Sequence, residues 1–152
     1  MIEVNVSVTI NASAARVWSV MGGFDNLPLW LAIIRSSQTS DGGRIRRLET
    51  TTGDVIVERL LDFCEADRRY TYALIEASAP VSGYVGAMSV RDDGDERSIV
   101  AWSSRFRPDD AGKRDELHSG YERIYQTGLD DLKTLIESGA RNDYCLPITG
   151  EP

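Results

Sequence analysis

Few residues in this chain have the types and neighbours to do chemistry, and Glu58 is the most informative of them. It stands in VIVERLLDFC, where Ile56, Leu60 and Cys64 recur at every second position. In a strand that spacing puts Glu58 on the same face as those apolar neighbours. A carboxylate in an apolar interior is costly unless it is paired or hydrogen-bonded, and unpaired it would take up a proton more readily than usual. The alternative register turns Val57, Arg59 and Leu61 inward and leaves Glu58 in water. Arg35 interrupts an apolar run after Ile33 and Ile34 and is the expected partner of Glu58. It can anchor an acidic, phenolic or carbonyl group by charge-assisted hydrogen bonds, serve as a structural ion-pair partner, or extend outward. His118 is the single histidine, with no serine or cysteine placed by motif to act as its nucleophile, and it reads as a surface residue. Cys64 and Cys145 are far apart and match no metal-ligand spacing, so neither a metal site nor a disulfide framework is expected. GGFD and DDGD lack phosphate-loop or calcium-loop spacing and read as turns.

The elements that must position these residues follow from periodicity. Ile2 to Ile10 alternates apolar and polar residues without a break, the pattern of a half-buried strand. Asn11 or Ser13 can cap a short helix with Ala14, Val17, Trp18 and Met21 on one side, ended by Gly22-Gly23 through the left-handed conformation that glycine tolerates. A second short helical segment spans Phe24 to Trp30. Six strands are then predicted, at about Ile33–Gln38, Arg44–Thr52, Val55–Cys64, Tyr70–Ala77, Tyr84–Val90 and Ser98–Arg107, separated by glycine- and aspartate-rich turns. The last long element, from about Asp115 to Ser138, repeats Leu117, Tyr121, Ile124, Gly128, Leu132 and Leu135 at helical spacing. One long helix and many antiparallel strands imply an α+β domain, a curved sheet wrapped around the helix with a cavity between them.

Composition sets the outer limits. The 152 residues suit one domain, taken here as 1–139 followed by an irregular tail over 140–152. A formal net charge of −7 argues against nucleic acid and anionic membrane as partners. No apolar stretch approaches the ~20 residues that span a bilayer. The expectation is a cytoplasmic protein, monomeric or homodimeric, without membrane insertion.

The order strand, two helices, six strands, long helix is that of the helix-grip fold. VTINASAARVWSVMGGFDNLPLW, TTGDVIVERLLDFCEADRRYTYAL, APVSGYVGAMSV, AWSSRFRP and YQTGLDDLK, in that order, resemble the START-like (SRPBCC) superfamily, in particular its polyketide cyclase/dehydrase-like branch. The resemblance covers about Val4 to Glu137. A more distant likeness to plant abscisic-acid receptors and birch-pollen-allergen-type proteins implies positions for a pocket. Arg35 falls where those receptors keep a ligand-pairing lysine, Glu58 at a buried glutamate, Tyr84 at a pocket tyrosine, and the 51–54 and 79–81 segments at the two loops flanking the opening. The loop wording of the receptors is absent, so a hormone-receptor role is not implied.

Together these readings give an expected lining of Arg35, Leu48, Thr50, Glu58, Ala73, Ile75, Pro80, Tyr84, Trp102, Ser104, Tyr121, Ile124 and Gly128. Trp102, Ser104 and Phe106 alternate on the last strand and are either core or a wall on which a ring can stack. Gly128, in mid-helix, makes room for a bulky sheet residue or for ligand. The expected function is binding of a small hydrophobic, ring-containing metabolite or lipid. The alternative is a cofactor-independent cyclase, dehydratase or isomerase with Glu58 as general base and Arg35 or a tyrosine stabilising an enolate. No cofactor is expected in either case.

Overall fold

In the computed structural model the described residues are 1–149, with side chains through Gly139. Seven strands form one antiparallel sheet: β1 (Ile2–Ile10), β2 (Ile34–Ser40), β3 (Ile45–Thr50), β4 (Val55–Cys64), β5 (Arg69–Glu76), β6 (Val81–Asp92) and β7 (Ser98–Pro108). Their spatial order is β1-β7-β6-β5-β4-β3-β2, so sequential strands are neighbours except that β1 closes onto β7. Helices α1 (Ala14–Met21) and α2 (Leu27–Trp30) bridge β1 to β2, and α3 (Arg114–Thr149) follows β7 and lies in the sheet's concave face. The expected fold is the one observed. The irregular tail expected over 140–152 is not what is seen where the backbone is described: α3 continues through Thr149, and residues 150–152 lie outside the described residues.

The alternation of β1 is realised without a slip: Ile2, Val4, Val6 and Ile10 are buried while Glu3, Asn5, Ser7 and Thr9 face water. Ser13 caps α1 by accepting from the Arg16 amide at 3.2 Å, and the Asp92 carboxylate at the end of β6 accepts from the Ala14 amide at 2.9 Å. A carboxylate at a helix N-terminus also meets the positive end of the helix dipole. Gly22 ends α1, but not through the left-handed region expected for it. Its φ is −74°, and its hydrogen is needed because a Cβ would lie 2.6 Å from the Trp18 ring.

The face of α3 turned to the sheet differs by one register from the expected stripe. Tyr125, Gly128, Leu129, Leu132 and Ile136 are buried, whereas Ile124 and Leu135 are each 38% exposed. Gly128 earns its place by proximity: a Cβ there would be 2.6 Å from Leu31 and 3.0 Å from Trp102. On β4 and β5 a bulge between Leu60 and Asp62 shifts the pairing. Phe63, not Cys64, therefore lies opposite Tyr70 and stacks on it, at 6.4 Å between centroids.

Candidate functional site

Two adjacent chambers that share a wall lie between the sheet and α3. The outer one, about 400 Å³, is bounded by Thr50 and Asp54 of the β3–β4 turn, Ala77 to Ala79 after β5, and Glu116, Leu117 and Gly120 of α3. The inner one, about 100 Å³, reaches Leu27 and Leu31 near α2, Arg46 and Leu48 on β3, Tyr72 on β5, Trp102 on β7 and Tyr125 on α3. Ile56, Glu58, Tyr84, Tyr121 and Ile124 wall both, so the two form one two-stage recess. Apolar and aromatic walls with a few convergent polar groups are the usual make-up of a small-molecule site.

The polar floor is an ion pair. Arg46 and Glu58 sit directly across from each other on β3 and β4, both pointing inward. Arg46 Nε donates to Glu58 Oε1 at 2.8 Å, and Nη2 lies 2.7 Å from the same oxygen. Nη1 donates to the Phe24 carbonyl at 2.8 Å. The guanidinium lies 4.1 Å from the Phe24 ring centroid and 5.0 Å from that of Tyr72, cation–π distances that offset part of its desolvation. Burial raises the Glu58 carboxyl above the ordinary range, against the charge and hydrogen bonds of Arg46. Burial also works against the Arg46 charge, yet the field of Glu58, with smaller contributions from Tyr70 and Tyr72, outweighs it and raises the guanidinium pKa. With two donors 2.8 Å or less from one oxygen, the pair is held as ions. Among the described residues, Glu58 Oε2 has no hydrogen-bond partner, and this second oxygen is left to the cavity.

Beside the pair runs a chain of hydroxyls. Trp102 Nε1 donates to the Tyr72 hydroxyl at 2.9 Å, which lies 3.4 Å from that of Tyr84. The Tyr84 hydroxyl bonds to that of Tyr125, which in turn donates to Ser104 Oγ at 2.8 Å. Since Trp102 can only donate and Tyr125 gives its proton to Ser104, the protons run in one direction, from the indole to the serine. Burial pushes the phenols of Tyr72, Tyr84 and Tyr125 up, and Tyr121 up to about 12 with help from Glu58. All are neutral donors near neutral pH. Tyr72 takes its place because Gly86 lies beneath it: a Cβ on Gly86 would be 2.3 Å from the ring.

Of the expected lining, Glu58, Tyr84, Tyr121 and Ile124 meet around both chambers, with Thr50 in the outer and Leu48 and Trp102 in the inner one. Ser104 is buried behind the wall on Tyr125. Gly128 lines a separate small cleft beside Leu31 and Ile33. Arg35 is misplaced in the expected set: its side chain is 56% exposed and pairs with Glu49 at 2.8 Å on the outside of the sheet. A bulge in the β2–β3 pairing at Ile34/Ser36 leaves Ile34 inward and Arg35 outward. Ala73 and Ile75 share the other face of β5 from Tyr72 and Leu74, and Ile75 is 55% exposed. Pro80 is exposed and borders neither chamber, and His118 borders neither either.

Arg46, Tyr72 and Tyr125 line the inner chamber and were missed by sequence reasoning. A signal for Arg46 existed: Leu48 was expected inside, and period two carries Arg46 in with it. Tyr125 stands four residues from both Tyr121 and Leu129 on the same helical face.

Among the described residues no group of three or more metal-ligating side chains is assembled, and no helix is long and apolar enough to cross a membrane. No protein of curated function matches the chain. Among solved structures it is similar to XoxI from Bacillus cereus, at 36% identity over 90% of this chain and 96% of that one, with a TM-score of 0.86. An uncharacterised protein from Bacillus thuringiensis is 35% identical over 89% of this chain and 98% of its own, with a TM-score of 0.85. The Zhui aromatase/cyclase from Streptomyces sp. R1128 is similar in fold, at 19% identity, 90% and 93% coverage and a TM-score of 0.77. The profile described as polyketide cyclase / dehydrase and lipid transport matches residues 1–137, and the chain belongs to that family.

Proposed function

We propose that the protein binds a small hydrophobic, ring-containing metabolite or lipid in the two-stage recess between sheet and α3. The observation that carries this reading is the shared wall of Ile56, Glu58, Tyr84, Tyr121 and Ile124, which joins an open outer chamber to an inner one floored by a buried ion pair. Access runs between the 51–54 turn and the segment after β5. The rings of Tyr84 and Tyr121, 5.5 Å apart, offer faces for a ligand ring. The family's description, cyclase, dehydrase and lipid transport, fits an apolar cargo of this size.

A second reading, a cofactor-independent cyclase or dehydratase, draws support from the free Glu58 Oε2. That oxygen could accept a proton from a ligand carbon or hydroxyl, with a neutral tyrosine donating to the developing oxyanion. Burial raises the Glu58 carboxyl above its ordinary value despite the opposing Arg46 charge, the direction a general base near neutral pH requires.

Gly120 supplies the test. It borders the outer chamber, and a Cβ there meets nothing within 4 Å. Gly120→Phe should fill the chamber, leave the fold at least as stable and abolish retention of any co-purifying small molecule in native mass spectrometry. Undiminished retention in that variant would place the ligand elsewhere.

A further inference from the structure

The formal charges on the wall of the outer chamber are of one sign. Asp54, Glu58 and Glu116 are the ionisable acids on the wall of the outer chamber, and among the described residues no Lys, Arg or His borders it. Arg46, among the described residues the one cation bordering the inner chamber, has Nε and Nη2 on Glu58 Oε1 and Nη1 on the Phe24 carbonyl. Arg35, the cation that would have welcomed an anion, is outside and occupied by Glu49. Lys113 lies 3.9 Å from Glu116 on the exposed start of α3 and does not border the chamber. A carboxylate or phosphate entering the outer chamber would meet three carboxylates, while Arg46 borders only the inner chamber and has its charge matched by Glu58. Positive charge would meet the opposite: Glu58 Oε2, at the junction of the chambers and without a partner among the described residues, and the faces of Tyr84 and Tyr121. Carboxylate and ring faces together are what hold an ammonium group out of water.

We infer that the natural ligand is a hydrophobic amine, a ring-bearing molecule with a protonated nitrogen seated between Glu58 Oε2 and the Tyr84–Tyr121 pair. This rests on the recess being a binding site, as proposed above, and narrows its cargo to cations. The apolar part of the ligand fills the outer chamber against Ile56, Leu74, Leu117 and Ile124. Asp54 and Glu116 at the rim draw the cation in, an effect that salt screens.

Three naphthalene compounds of equal size test it by calorimetry near neutral pH: naphthylmethylamine, naphthylmethanol and naphthoate, with the neutral dye Nile red as a reporter of the recess itself. The expected result is an amine bound about tenfold or more tighter than the alcohol, no measurable naphthoate binding, and weakening of the amine alone between roughly 50 and 500 mM salt. Asp54→Asn/Glu116→Gln, whose side chains are exposed, should weaken the amine about threefold or more relative to the alcohol, without requiring the Glu58 variant to fold. Equal binding of the three compounds, tighter binding of naphthoate, or Nile red binding with no amine binding would each overturn the amine inference and leave the recess standing. Failure of all three compounds and of Nile red, with Gly120→Phe making no difference, would sink both readings.

Discussion

The Arg46–Glu58 pair gives the sharpest perturbation. Glu58→Gln keeps the shape and removes the charge, leaving a guanidinium that is 2% exposed with the Phe24 carbonyl and the rings of Phe24, Tyr70 and Tyr72 to stabilise it. An uncompensated buried charge costs roughly 3–5 kcal/mol. The glutamine carbonyl can still accept one hydrogen bond, which offsets about 1 kcal/mol, so the net loss should be about 2–4 kcal/mol. Arg46→Met should cost less at low pH than at neutral pH. It removes the cation that opposes burial, so the Glu58 carboxyl, already raised, rises further. The penalty is present while Glu58 is ionised and is relieved as pH falls through its folded-state value, because the folded form then holds the extra proton. The double variant Arg46→Met/Glu58→Leu should lie within about 1–2 kcal/mol of the parent, since apolar replacement of a whole buried pair is often nearly neutral. A double-mutant cycle built from Arg46→Met, Glu58→Leu and their double variant, measured by urea unfolding and followed by the fluorescence of the three tryptophans, should therefore give a coupling of about 2 kcal/mol or more. Additive single and double losses, or a Glu58→Gln loss below about 1 kcal/mol, would refute a dry, mutually dependent pair.

Gly86→Ala should destabilise by roughly 2 kcal/mol or more, because its methyl collides with the Tyr72 ring at 2.3 Å and displaces the hydroxyl that accepts from Trp102; thermal unfolding and a shift in tryptophan emission would register it together. Gly128→Ala should lose less, about 1 kcal/mol or below in the same assay, since the nearest obstacle is the movable tip of Leu31 and helix propensity returns part of the cost. Stability should fall as pH rises past about 10, by up to about 1.4 kcal/mol per unit for each tyrosine that stays protonated when folded, because the unfolded phenols ionise first. Tyr72, Tyr84, Tyr121 and Tyr125 are those phenols, so near-ultraviolet absorbance of the folded protein near pH 11 should show only a minority of the six tyrosines ionised, the rest appearing on unfolding. Full ionisation without unfolding would refute the buried hydroxyl chain. Arg35→Ala should leave stability and ligand binding nearly unchanged, because an exposed ion pair is worth about 0–1 kcal/mol; a tenfold loss of binding would restore it to the site.

Much of this protein follows from local pattern. Strand β1 reads directly from its alternation, β4 from Val55 to Cys64 has its bounds in the turn residues on either side, and the start of α3 differs by one residue from its periodicity. Period two also turns Glu58 inward, since Ile56 and Leu60 require the same face. What local pattern could not decide is set by non-local geometry. A single bulge at Ile34/Ser36 fixes Arg35 on the outside, and another at Leu60/Asp62 trades Cys64 for Phe63. Such bulges have no clear residue signature, because any residue can be the one left unpaired. The partner of Glu58 is chosen by the β3–β4 register, which sets Arg46 opposite it. The hydroxyl chain joins β5, β6, β7 and α3, residues up to 41 apart in sequence for its Tyr84–Tyr125 link. Sequence alone therefore determined the elements and the inward face of the key carboxylate. Only the tertiary structure decided which charges the recess leaves unanswered, because charge balance depends on distances between strands that periodicity along one strand does not contain.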